Sequence, residues 1–176
     1  MSATTSEPSP ALDRRLLLLR HAKSSWGDPG LPDFDRPLNA RGRESAPRMG
    51  RKLHAERFEV DLILASTAQR VRETMELLIP AWGSTAQIVW DKHVYLATPE
   101  VLLELVGGLD DSWRTVMLVG HNPGLSQVAS WLMQLDIDMP TAGLVSMLGQ
   151  GTSWASALRE RPWQQQFFWK PKELED

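Results

Sequence analysis

The chain has 176 residues, a net charge of −3 and no cysteine. Without cysteine there is no disulfide, cysteine–zinc finger, iron–sulfur cluster or thiol nucleophile, which excludes the thiol-based phosphatases and proteases. The length fits one domain with a buried core, the apolar (42%) and charged (23%) fractions are ordinary for a globular protein, and the acidic balance gives no electrostatic reason to expect nucleic acid as the main partner.

From the N-terminus, residues 1–13 (MSATTSEPSPALD) are polar and read as a flexible tail, without the basic start and apolar stretch of a signal peptide. The run Leu16–Leu19 reads as a strand buried on both faces; it is far shorter than the ~20 residues that span a bilayer. A cytoplasmic protein with no membrane partner is expected. A helix follows from about Asn39 to Glu56, with Pro47 required to sit near a first turn or to break it. Asp61–Ala65 is a second strand, after which Ser66 or Thr67 is expected to cap a helix with Val71, Met75 and Leu78 on one face. Gln87–Trp90 is a short strand. Thr98 and Pro99 start a helix that Gly107 and Gly108 end.

Thr115–Val119 is a third clear strand, and Asn122-Pro123-Gly124 opens a helix with Leu125, Val128, Ala129 and Leu132 as its apolar stripe. Leu144–Leu148 and Gln166–Trp169 are later strands, while Gly149–Pro162 reads equally as strand plus long loop or as a short helix. The organised part is expected to run over 14–170, with a loose tail at 171–176. Apolar runs alternating with helical patterns mark an α/β sheet. The eight tryptophans are read as core packing and interface rims rather than as a stacking platform for bases.

The chemistry concentrates at strand ends. His21 follows Leu16–Arg20 and His121 follows Thr115–Gly120, each just past the carboxyl end of an apolar strand, where doubly wound sheets place their ligands. Arg20 directly precedes His21, and Arg70 lies one turn inside the helix after the second strand, within reach of the same sheet edge. Two guanidinium forks and two imidazoles make a pocket suited to a dianion, because arginine offers paired donors matched to phosphate oxygens. His54 and His93 lack such context and read as surface residues, and Arg72 reads as a surface partner of Glu76 at i+4.

Four blocks in order then carry a resemblance: Leu17-Leu18-Leu19-Arg20-His21-Ala22-Lys23-Ser24-Ser25-Trp26; Asp33-Phe34-Asp35-Arg36-Pro37-Leu38-Asn39 with Arg41-Gly42; Ser66-Thr67-Ala68-Gln69-Arg70 with Thr74; and Val119-Gly120-His121-Asn122-Pro123-Gly124. Together, and with Pro140-Thr141-Ala142-Gly143, they resemble the histidine phosphatase superfamily, most closely its small phosphohistidine phosphatase (SixA-type) branch, over about Leu16 to Trp169. The resemblance implies a single-domain three-layer α/β/α fold with a mostly parallel central sheet, of phosphoglycerate mutase-like architecture. It implies that His21 accepts the phosphoryl group while Arg20, Arg70 and His121, with Arg36 as a further contact, hold its oxygens. It implies no cofactor and no metal, a phosphohistidine-bearing protein or a small phosphorylated molecule as substrate, and inorganic phosphate as product.

One departure stands out. Where many superfamily members carry a carboxylate that protonates the leaving alkoxide, this chain reads Val94-Tyr95-Leu96-Ala97-Thr98-Pro99-Glu100, and Glu100 is better explained by the dipole of the helix it begins. An imidazole leaving group depends less on such an acid than an alkoxide does, which tilts the expected substrate toward phosphohistidine. The alternatives are a general phosphomonoesterase using the same pocket and a non-catalytic phosphoprotein-binding module.

Overall fold

The computed structural model describes residues 12–174. Four consecutive leucines form the centre of β1 (Leu12–Arg20), which is fully buried there between β4 (Thr115–Gly120) on one side and β5 (Leu144–Gly151) on the other. Outside them lie β2 (Leu62–Ser66), β3 (Gln87–Asp91) and β6 (Gln164–Trp169), in the order β3-β2-β4-β1-β5-β6. β3, β2, β4 and β1 run parallel, and β5 is antiparallel to both of its neighbours.

The period of two along the strands sorts side chains onto two faces. Leu17, Leu19, Ile63, Met117 and Val119 face α1 (Ala40–Ala55) and α2 (Gln69–Trp82), burying Met49, Leu53, Val71, Met75 and Leu78. Leu16, Leu18, Leu64, Val116 and Leu118 face the other way, onto α3 (Pro99–Gly107), α4 (Gly124–Met133) and α5 (Trp154–Arg159), where Leu102, Val106, Val128 and Trp154 are buried. The expected three-layer α/β/α fold with a mostly parallel sheet is what the chain forms.

Several local expectations need amendment. β1 begins at Leu12, so the expected tail over 1–13 overlaps a strand; its remainder lies outside the described residues, as do the last two residues of the C-terminal segment. Within that segment Pro171–Glu173 form a 3-10 turn. Pro47 neither starts nor breaks α1, which runs through it to Ala55. The lost backbone hydrogen bond is offset by close packing on α2: a Cβ at Gly50 would run into the Leu78 carbonyl. Gly149–Pro162 holds the end of β5 and also the short α5, whose Ser153 and Ser156 form a reciprocal capping box. Thr98 caps α3 by accepting from the Val101 amide, as its sequence indicates.

The tryptophans divide. Trp82, Trp154 and Trp163 are core residues, whereas Trp26, Trp90 and Trp131 are exposed, each with an arginine over its ring. Among the described residues no helix is long and apolar enough to cross a membrane.

Candidate active site

Parallel register brings the two histidines together. Arg20 of β1 lies opposite Gly120 of β4, so the next residues, His21 and His121, leave the sheet side by side with ring centroids 5.2 Å apart. The His21 amide bonds the Gly120 carbonyl at 3.1 Å, extending the ladder by one step, and the Ala22 amide bonds Thr74 Oγ1 of α2 at 3.0 Å. The N-terminus of α1 packs on the same loop: a Cβ at Gly42 would strike the Lys23 carbonyl.

Arg20, His21, Arg36, Arg70 and His121 all line one pocket of about 450 Å³, so every site residue expected from sequence converges there. His21 Nδ1 lies 2.7 Å from the Ala22 carbonyl, an acceptor only, so Nδ1 carries the proton and Nε2 carries the lone pair. Arg70 Nε donates to that Nε2 at 3.3 Å. Burial pushes the His21 pKa down to about 4, with Arg70, Arg20 and Arg36 adding to the effect and the Ala22 hydrogen bond opposing it. His121 is pushed down to about 3, chiefly by burial and then by His21 and Arg70, against the pull of Asp33. Both imidazoles are therefore neutral at neutral pH.

Ser66, the last residue of β2, does not cap α2; the N-cap position belongs to Ala68, with no side-chain cap. Ser66 Oγ instead accepts from the Ala68 amide at 3.3 Å and lies 2.8 Å from His121 Nε2. Ser66 Oγ can donate to Nε2, leaving the ring proton on Nδ1, or use its second lone pair to accept from an Nε2–H, so this contact holds the ring in place under either tautomer. That Nδ1 and Arg20 Nε are buried with no hydrogen-bond partner among the described residues. The unmet guanidinium donor of Arg20, on a pocket-lining side chain, suits an incoming anion. Arg20 is otherwise anchored by the Met139 carbonyl at 2.8 Å.

Sequence reasoning missed the pocket's own carboxylate. Asp33 accepts from Arg70 at 3.0 Å, Arg36 at 2.9 Å and the Tyr95 hydroxyl at 2.6 Å. The Tyr95 hydrogen bond, then the two guanidiniums, hold its pKa down to about 2 against the opposing effect of burial, so it is ionised and has no proton to give. Burial and the neighbouring Asp33 raise the Tyr95 pKa in turn. Arg36 is spent largely on this framework: it donates to Asp33, Ser24 Oγ and the Ser25 carbonyl, and stacks 3.2 Å from the centre of the Trp26 ring. The one available signal was the i, i+3 spacing of Asp33 and Arg36 in a block already noted. Glu100 is exposed on the first turn of α3 and does not line the pocket. His54 and His93 are exposed, as expected; Arg72, however, donates to the Thr67 carbonyl and lies over Trp90 rather than pairing with Glu76.

Comparison with known proteins agrees with this geometry. The family model "Histidine phosphatase superfamily (branch 1)" matches residues 16–92. An uncharacterised chloroplastic protein of Arabidopsis thaliana is 31% identical over 178 residues, covering 89% of this chain and 76% of that protein. The crystal structure of SixA from Agrobacterium tumefaciens is 32% identical with a TM-score of 0.76, covering 93% of this chain and all (100%) of that one. A protein histidine phosphatase SixA complexed with tungstate shares the fold at a TM-score of 0.77 with 14% identity, over 92% of this chain and 99% of its own. The chain belongs to the histidine phosphatase superfamily, in its SixA-type branch.

Proposed function

We propose that this phosphatase removes phosphate from phosphohistidine on a protein, without a metal, through a phosphohistidine formed on its own His21. The observation that carries the reading is the fixed tautomer of His21: Nδ1 is bound to the Ala22 carbonyl and Nε2 presents its lone pair inside a ring of guanidiniums. In the first step Nε2 attacks phosphorus. The substrate enters with its imidazole already protonated by solvent on the ring nitrogen away from phosphorus, so the new P–N bond forms as the substrate's P–N bond breaks and a neutral imidazole departs. Arg20, Arg70 and His121 carry the charge spread over the equatorial oxygens. In the second step water attacks the same phosphorus, the His21 P–N bond breaks, and inorganic phosphate leaves with His21 neutral again.

The choice of leaving group rests on Asp33. It is the carboxylate that lines the pocket, and two guanidiniums and Tyr95 hold it ionised. An alkoxide would need a proton that this carboxylate does not hold, whereas a protonated imidazole departs without one.

Single-turnover mixing with labelled phosphoramidate tests the covalent step. Label is expected to accumulate on the wild-type chain and to be absent in His21→Ala. Steady-state turnover of a phosphohistidine protein, p-nitrophenyl phosphate and a bisphosphoglycerate, each with chelator present, tests the substrate. Equal efficiency on all three would make the chain a general phosphomonoesterase, and loss of activity with chelator would refute the metal-free route.

A further inference from the structure

A second groove of about 840 Å³ adjoins the catalytic pocket, and Lys23 and Thr141 line both. Its walls are α1, the loop before β5 and the Pro171–Glu173 turn, tied to α1 by an Arg48 hydrogen bond to the Pro171 carbonyl. Among the described residues, six lysines and arginines line it against two glutamates, on a chain whose net charge is −3. Lys23, Arg41, Arg51 and Lys172 are exposed, and none forms an ion pair with another described residue. Arg41 also stands in the first turn of α1, which has no acidic residue there. A cation at a helix N-terminus opposes the helix dipole, so the fold gains nothing from this placement. An anion settling there gains from both charges.

We propose that this groove is the docking surface for an acidic segment of the phosphoprotein substrate, holding carboxylates beside the phosphohistidine that enters the pocket. This rests on the reading of the substrate as a phosphohistidine protein and adds the charge of its surroundings. Among the described residues the groove has no aromatic side chain on which bases could stack, and Glu44 and Glu173 stand within it, which favours a protein over a single-stranded nucleic acid. Exposed charge pairs of this kind act on encounter and weaken as salt rises.

The test uses the whole chain and two phosphohistidine peptides of equal length, one flanked by aspartate and glutamate, the other by asparagine and glutamine. At low salt kcat/KM for the acidic peptide is expected to exceed the neutral one by about tenfold, with the advantage lost at high salt. The Arg51→Glu/Lys172→Glu variant is expected to remove that advantage while leaving turnover of phosphoramidate, which is too small to reach the groove, unchanged. Equal turnover of the two peptides by the wild type, or an equal loss on phosphoramidate, overturns the proposal. If neither peptide is cleaved, the phosphohistidine reading has failed and the groove is read separately. Poly-glutamate should then inhibit p-nitrophenyl phosphate hydrolysis by the wild type and not by the variant, and absence of inhibition overturns the groove. Stronger inhibition by a single-stranded oligonucleotide of matched charge would assign the surface to nucleic acid and overturn it as well.

Discussion

Acidification should destabilise this fold and leave His21, the proposed nucleophile, neutral. His21 has an ordinary pKa of 6.5 in the unfolded chain and about 4 in the folded one, mainly because burial penalises the imidazolium. Between these values the unfolded state binds more protons than the native state. The contribution of His21 is thus fully present above pH 6.5 and is lost as pH falls toward about 4. Between pH 7 and pH 5 the linkage amounts to about 2 kcal/mol for this residue, a large part of the roughly 5–15 kcal/mol that holds a domain together. His121, at about 3, contributes a similar amount in the same window. Urea unfolding at the two pH values should show it: the fall in unfolding free energy should be about 2 kcal/mol smaller in His21→Gln than in the wild type. At pH 5 about 90% of His21 remains neutral, against about 3% of an ordinary imidazole, so labelling by phosphoramidate should persist there. Parallel stability losses in wild type and variant, or an NMR titration of His21 centred near 6.5, would refute the argument from burial.

Asp33→Asn should bind inorganic phosphate about fivefold more tightly, because the carboxylate competes for Arg70 and Arg36 and repels a dianion; product inhibition measures it, and weaker binding would mean that Asp33 acts chiefly by holding the guanidiniums. Ser66→Ala should lower kcat about tenfold, by loosening the His121 ring, and cost about 1–2 kcal/mol for an unpaired buried nitrogen. Nitrogen NMR of the ring should show a changed balance of the two tautomers, with Ser66→Thr restoring the wild-type pattern. Leu53→Ala, at a fully buried position between α1 and the sheet, should cost about 2–5 kcal/mol in urea unfolding with the catalytic constants unchanged.

The residues that were legible in the sequence are those placed by regular structure. His21 and His121 could be found because each follows an apolar run, and parallel pairing of two such runs sets the residues beyond them at one level. Arg70 was legible because the first turn of a helix after a strand faces the same sheet edge. Periodicity failed where geometry hinged on one residue. β2 is one residue longer than its apolar run, which draws Ser66 into the strand and turns a presumed helix cap into the partner of His121. Arg72 had two acceptors available, and the Trp90 face with the Thr67 carbonyl won over an exposed i+4 pair worth only a few tenths of a kcal/mol.

Asp33 and Tyr95 were hidden for a stronger reason, and it bears on function. Both sit in irregular segments, Asp33 in a short 3-10 turn and Tyr95 directly after another, and no hydrophobic period relates the two stretches. They meet only because Arg70 reaches the Asp33 side chain and carbonyl while the Tyr95 hydroxyl closes on the same carboxylate. The segment expected to hold a proton donor therefore supplies a phenol that stabilises an anion, and the carboxylate it stabilises comes from a turn 62 residues earlier in the chain. A carboxyl acting as that donor would have to hold its proton near neutral pH, and Asp33 is held ionised instead. The carboxylate beside this segment is thus ionised, and the Tyr95 proton is held in its hydrogen bond to Asp33, which is the physical basis for favouring a substrate whose leaving group needs no enzyme acid.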